Sequence, residues 1–290
     1  GNHRRSLMDP EVRHGVQLLV CYDGAAFHGF APQKTVRTVH GALTEAIRAI
    51  DPTIVDVRGT SRTDAGVHAE GQSVAFHSAL QIPAKGWVLG LNAKLPDDVS
   101  VRAARAIGPE FNPRFENLGK RYVYRVLLDA VRDPLRDRRA WRIGEPVDRN
   151  LLISEANALI GTFDFAAFRG KDERENTVRT ILGIDVTEED QGRVLAIRVT
   201  GTAFLFNMVR IVVGTLVDVA RGRKAPGAAA RALASLDRRD AGMTAPPHGL
   251  CLEEVFWKPL ETGMIAGPSW PEGHFEPAVS RDATPSEVAP

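Results

Sequence analysis

The chain has 290 residues, 43% hydrophobic and 25% charged, with a net charge of +1. That is the balance of an ordinary globular protein, long enough for one large domain or two medium ones. Its two cysteines, Cys21 and Cys251, exclude a disulfide framework and a paired-cysteine zinc site, so a reducing cytoplasm is the expected compartment.

The opening stretch GNHRRSLMDP lacks the apolar run of a secretory signal, and residues 1–14 read as a tail. VQLLVCYDG (16–24) reads as a strand. TVHGALTEAIRAI (38–50) places Val39, Leu43, Ala46, Ile47 and Ile50 on one helical face, with Thr38 as its cap. TIVDVRG (53–59) and GQSVAFHS (71–78) read as strands on either side of a glycine-rich loop. WVLGLNAKLPDD (87–98) reads as a helix closed by Pro96, and VSVRAARAIG (99–108) as a strand.

The Pro- and Asn-containing stretch near Phe111 marks a boundary, giving an N-terminal unit over 15–110 and a second over 111–260. KRYVYRVLL (120–128) alternates Tyr122, Tyr124, Val126 and Leu128 against Val123, Arg125 and Leu127, a strand. NLLISEANALIG reads as a helix ended by Gly161. Residues 179–201 form two apolar runs around the polar turn Glu188–Gly192, a hairpin. AFLFNMVRIVVGTLVDVA (203–220) is about membrane length, but Asn207, Arg210 and Asp218 make it a core helix rather than a span. APGAAARALASLD is a further helix and HGLCLEEVFW a closing strand. Hairpins mixed with helices give an α+β class, built on two sheets or one long mixed sheet.

The small net charge hides an asymmetry. Residues 261–290 carry Glu261, Glu272, Glu276, Asp282 and Glu287 against Arg281, with five prolines, and read as an acidic tail. The rest is net basic, with arginines dense at 132–142 and at 221–224. Such patches suit phosphate neutralisation or are simply solvated surface.

The densest chemistry lies in RGTSRTDAGVHAEGQ (58–72), where Asp64 stands among three glycines with Arg58 and Arg62 before it. On the residues alone Asp64 is a turn cap, a nucleophile, a general base or a metal ligand. The nearest metal partners, His68 and Glu70, are a poor match for one ion, and no metal is expected. No Gly-x-Ser-x-Gly elbow and no phosphate loop is present. His40 and His77 fall within regular elements and read as structural. Tyr122 and Tyr124, beside Lys120, Arg121 and Arg125, are either core residues or base-stacking residues with cations for phosphate. Arg210, inside an apolar helix, must pair with a carboxylate or reach a cavity, and Asp64 is a candidate partner.

SRTDAGVHAEGQ resembles the signature loop of the tRNA pseudouridine synthase A family. VCYDGAAFHGF, LNAKLPDDV, FNPRFENLGKRYVYRV, DFAAFRG, GTAFLFNMVRIVVGTLVDVARGR and TAPPHGLCL resemble further blocks of that family, in order over about residues 16–257. The resemblance implies two similar α/β subdomains with mixed, mainly antiparallel sheets, helices flanking them and a central RNA-binding cleft. It implies isomerisation of uridine to pseudouridine at tRNA positions 38, 39 or 40, without cofactor, by a cytoplasmic homodimer acting on tRNA. Asp64 would be the nucleophile, attacking C6 of the base or C1′ of the sugar. Arg62 would fill the space of the extruded base, Tyr122 would stack on the uracil, Arg210 would pair with Asp64, and Leu250 would wall the pocket. Phe111, Arg114, Phe115, Lys171 and Arg174 would lie in segments that set RNA specificity. Three positions depart from the family pattern: Ser61 replaces a glycine, Phe30 a tryptophan, and Cys251 stands where an aromatic is common. The competing readings are an RNA-binding module without catalysis and an aspartate-nucleophile hydrolase of small molecules.

Overall fold

Two strands from opposite halves of the chain flank the last strand of the core. β10 (Leu250–Phe256) lies between β3 (His68–Ser78) and β5 (Gly119–Leu128), parallel to the first and antiparallel to the second. One continuous mixed sheet results, so the choice between two sheets and one resolves to one. The computed structural model describes residues 13–171 and 175–257, and the backbone of 276 and 277. Most of the acidic tail, and Arg174, lie outside the described residues.

The N-terminal half supplies β1 (His14–Tyr22), β2 (Val57–Gly59), β3 and β4 (Val99–Ile107); the two residues of β11 (Glu276–Pro277), from late in the chain, pair with β4. The C-terminal half supplies β5, β6 (Trp141–Ile143), β7 (Gly161–Asp164), β8 (Val178–Glu189) and β9 (Val194–Gly201). The order is β11-β4-β1-β3-β10-β5-β9-β8-β7, with β2 on β3 and β6 on β5. Pairing is antiparallel throughout except β10 with β3 and β5 with β6.

Strand periodicity sorts the side chains. The main core takes Val16, Leu18, Val20 and Tyr22 from β1, and Tyr122, Tyr124 and Val126 from β5. Helices α1 (Val39–Arg48), α2 (Ala84–Asn92), α4 (Arg149–Asn157), α5 (Met208–Ala220) and α6 (Ala228–Ser235) contribute to the same core; α3 (Pro113–Glu116) is one turn. α1 follows its sequence pattern, and the Thr38 hydroxyl accepts from Gly41 N at 3.1 Å. α2 starts earlier than its pattern and ends at Asn92, ahead of Pro96; the Asn92 side chain bonds both N–H and C=O of Val101. The stretch 53–56 is not strand, and only Val57–Gly59 pairs with β3.

The expected long helix over 203–220 is a correction. Asn207 adopts the left-handed conformation (φ 59°), and the helix begins only at Met208. Residues 202–207 are left as a loop, and Arg210 sits in the first turn of α5 rather than mid-helix. The neighbours of Tyr122 on β5 require a second correction. Arg121 and Arg125 point to the face opposite the tyrosines. Arg121 pairs with Glu253 and Glu254 at 2.6 and 2.7 Å, and Arg125 with Glu189 at 2.8 Å. Arg198 joins Glu189 and Glu253, each at 3.0 Å, into one lattice. Similarly Arg139 meets Asp23, Arg142 meets Asp137, and Arg221 and Arg223 share Glu145. These arginines neutralise local carboxylates.

Candidate active site

The loop between β2 and β3 carries Thr60 to Asp64. Ser61 and Thr63 are buried, while Arg62 and Asp64 face outward. The buried set is tied down. The Gln72 side chain accepts from Ser61 N at 3.2 Å and donates to Ser61 O at 2.8 Å. The Tyr22 and Thr63 hydroxyls are 2.6 Å apart, and Ser61 Oγ is 2.7 Å from the Tyr122 hydroxyl. Of these residues the sequence singled out Ser61 and Tyr122; Tyr22, Thr63 and Gln72 did not stand out. The signal that could have found them is the alternation of small hydroxyls with charges in TSRTD.

Two glycines let this loop turn. Gly66 has φ +80°, a conformation costly for side chains. At Gly59 a Cβ would fall 2.3 Å from the Phe30 ring, so the departure to Phe30 is packed directly under the loop. His68 then anchors the exit. Burial, the leading influence, holds its pKa below the usual histidine value. The neutral ring accepts from Gly24 N at 3.0 Å and donates to His248 O at 3.2 Å. Both ring nitrogens thus bond neighbouring backbone, and the Asp23 carboxylate lies 3.1 Å from Nδ1. Among the described residues no three His, Cys, Asp or Glu side chains converge as a metal site.

Asp64 stands at the wall of a cleft of about 1410 Å³. Among the described residues two carboxylates line it, Asp56 and Asp64. Asp56 is 66% exposed and pairs with Arg58, whereas Asp64 is 24% exposed and lies 3.7 Å from Arg210 Nη1. Arg210 is itself oriented by Ala245 O, 2.7 Å from Nε, and by Asn207 Oδ1, 2.9 Å from Nη1. Burial pushes the Asp64 pKa up, and the Arg210 charge draws it back without cancelling the rise. The raised pKa makes the Asp64 carboxylate more basic than an exposed aspartate. The first turn of a helix is an unfavourable place for a cation, so Asp64 also offsets the α5 macrodipole against Arg210.

Cations dominate the remaining lining: Arg48, Arg58, Arg62, Arg114, Lys120, Lys171 and Arg179. Tyr122 presents its ring from β5, buried and pushed up to about 12 chiefly by desolvation, with the edge of Phe204 at 5.4 Å. Leu250, first residue of β10, lines the cleft beside Pro247. Phe115 and Phe206 add exposed aromatic surface. The cleft therefore gathers Asp64, Arg62, Tyr122, Arg210, Leu250, Arg114, Phe115 and Lys171. Phe111 is not among its lining; it packs on Trp257 at 5.5 Å with Arg105 over its ring. The sequence reading missed Phe204, Phe206, Arg48 and Arg179.

Among the described residues one half-buried carboxylate stands in a cationic cleft with aromatic rings, a setting that suits a polyanion with flat bases. The family model described as tRNA pseudouridine synthase matches residues 18–116 and 156–258, and the chain belongs to that family of uridine isomerases. Its mixed sheet with flanking helices is the pseudouridine synthase fold. The chain is 41% identical over 244 residues to the tRNA pseudouridine synthase A of Geobacter sp. (strain M21), covering 83% of this chain and 98% of that one. It is 40% identical over 244 residues to that of Myxococcus xanthus, 84% and 92% covered. With that of Bacillus subtilis (strain 168) it shares 39% over 245 residues, 83% and 98% covered. A solved Cbf5-Nop10-Gar1 complex aligns over 72% of this chain and 44% of that one at 17% identity, with a TM-score of 0.36, too low to carry an argument. Among the described residues no helix is long and apolar enough to cross a membrane.

Proposed function

We propose that the protein converts uridine to pseudouridine in the anticodon stem-loop of tRNA, at positions 38, 39 or 40, with Asp64 as nucleophile on a flipped-out nucleotide. The observation that carries this is the contrast between the two cleft carboxylates: Asp56 is exposed and neutralised at the rim, while Asp64 is half buried with Arg210 beside it. The tRNA positions rest on the family resemblance.

The chemistry fits one carboxylate. The C1′–N1 bond breaks, the uracil turns, and C1′ bonds to C5. C5 loses its proton and N1 gains one, so atoms balance with no water, oxidant or cofactor. A paired acid and base, as in glycoside hydrolysis, is unnecessary. The base must leave the stack to reach Asp64. In this reading Arg62, exposed on the same loop, occupies the space it vacates. Tyr122 and Leu250 bracket the uracil, and Arg210 orients the carboxylate. Arg114 and Lys171, for which no intramolecular ion pair is found among the described residues, meet phosphates. By the same resemblance the working form is a cytoplasmic homodimer.

The test is incubation with unmodified tRNA followed by site mapping. Product is expected at one or more of the three positions, and Asp64→Ala is expected to abolish it while tRNA binding persists. Product from that variant would remove Asp64 from the chemistry.

A further inference from the structure

Ser61 is a buried residue of the loop that carries Asp64, and its hydroxyl makes a 2.7 Å hydrogen bond with the hydroxyl of Tyr122. The two residues come from different elements, the β2–β3 loop and β5. Where the resembling family loops carry glycine, no side chain could make this bond. The Ser61 backbone is fixed on both its N–H and its C=O by Gln72, which also reaches the Tyr22 hydroxyl at 3.4 Å. The Ser61 hydroxyl is therefore a point on a rigid frame.

Tyr122 is less constrained without it. Phe204 meets the ring edge-on, at 88° between planes, which limits its position from one side. The phenol oxygen ends the long axis of the side chain, so a hydrogen bond there fixes the tilt of that axis, while Phe204 limits rotation of the ring about it. Burial keeps that phenol protonated, so the bond persists at working pH.

The geometry points to Ser61 as a positioning residue: its hydroxyl fixes the tilt of Tyr122 relative to the loop, and so the spacing between a stacked uracil and the Asp64 carboxylate. This rests on the reading of Tyr122 and Asp64 given above. Ser61 lies three residues before Asp64 on the same braced segment, so the bond links the stacking ring and the nucleophile through a short covalent path. Misplacement of reacting groups by fractions of an ångström lowers the rate of reaction while leaving the affinity of a large ligand intact.

The experiment compares parent, Ser61→Ala and Ser61→Gly in single-turnover pseudouridine formation on unmodified tRNA, with tRNA Kd measured separately. Both variants are expected to lose about five- to tenfold in rate, the scale of one hydrogen bond, at unchanged Kd. Repeating Ser61→Ala in a Tyr122→Phe background is expected to give no further loss, because the bond is already gone. A parent-like rate for Ser61→Ala, a change confined to Kd, or the same loss in the Tyr122→Phe background would each overturn the proposal. If Tyr122→Phe turns over too slowly to follow, the split between rate and Kd decides. An active Asp64→Ala enzyme would instead overturn the functional reading, so the two failures are distinguishable.

Discussion

Asp64 and Arg210, from opposite halves of the chain, stand 3.7 Å apart across the cleft wall. The separation exceeds a hydrogen bond, so the guanidinium acts mainly through its charge. Its fixed bonds to Ala245 and Asn207 hold that charge in place whether or not Asp64 is ionised.

This arrangement predicts the acid limb of activity. On the proposed mechanism the reaction needs ionised Asp64, whose pKa is raised above the ordinary aspartate value. The rate should therefore rise with pH through a midpoint above about 3.9. Arg210 lowers the pKa, so Arg210→Met should shift the limb to higher pH and reduce the rate below it. Single-turnover rates across pH at constant salt provide the check; a limb that stays put or moves down contradicts the charge coupling.

The cleft cations predict a salt signature. Arg114→Ala and Lys171→Ala should each reduce the slope of log K against log salt for tRNA binding by about 0.7 to 0.9, one phosphate contact apiece. Arg121→Gln, on the opposite face among Glu253 and Glu254, should leave the slope as it was while lowering stability. Equal slopes for all the proteins would place the RNA elsewhere.

Asp51 predicts an acid-dependent stability. This buried side chain joins the end of α1 to the end of β3 by accepting from Ser78 Oγ at 2.6 Å, Thr53 Oγ1 at 2.6 Å, Thr53 N at 3.0 Å and Ala79 N at 2.9 Å. Burial alone would raise its pKa; the hydrogen bonds outweigh this and set it at about 2. A depressed folded-state pKa means stability that is complete above the unfolded value of about 3.9 and lost as pH falls through about 2. Urea denaturation should show Asp51→Asn destabilised by about 2 kcal/mol at neutral pH, with the gap to the parent narrowing toward pH 2. A constant gap would refute the linkage.

Glu155 predicts a capping effect at a distance. α6 begins after Gly227, which has no side chain to cap it. The buried carboxylate of Glu155 on α4 accepts from both Gly227 N and Ala229 N instead. Glu155→Ala should cost about 1–3 kcal/mol by leaving those donors unsatisfied. Thermal melts alongside Ser235→Ala, at the far end of the same helix, would separate this from a general loss of helix propensity.

The elements that local periodicity dictates were legible: α1 with its Thr38 cap, the hairpin of β8 and β9, and the tyrosine face of β5. The false start of the helix before Met208 has a plain cause. AFLFN is as apolar as the helix that follows, and hydrophobicity does not reveal that Asn207 turns left-handed. β7 is too short, and β6 too dependent on β5, to show a pattern. Of the site, Asp64 and Arg210 were visible as oddities, a lone carboxylate and a cation in an apolar run. Thr63 and Gln72 were not, and Ser61 showed only as a departure from a pattern, because their meaning lies in partners from other strands. The arginine-dense stretches misled in the other direction, since Arg139, Arg142, Arg221 and Arg223 face carboxylates that only folding brings near.

The central place of β10 gives the catalytic site a position in time as well as in space. Its residues leave the ribosome after every other strand that borders the cleft, yet they join the strand carrying the aspartate loop to the strand carrying Tyr122. A nascent chain can form hairpins of either half early, but it cannot hold loop and tyrosine at their working distance until about residue 256 has emerged. On the proposed reading, catalytic competence thus waits for β10, and a chain terminated before that strand carries Asp64 without the element that joins its loop to Tyr122.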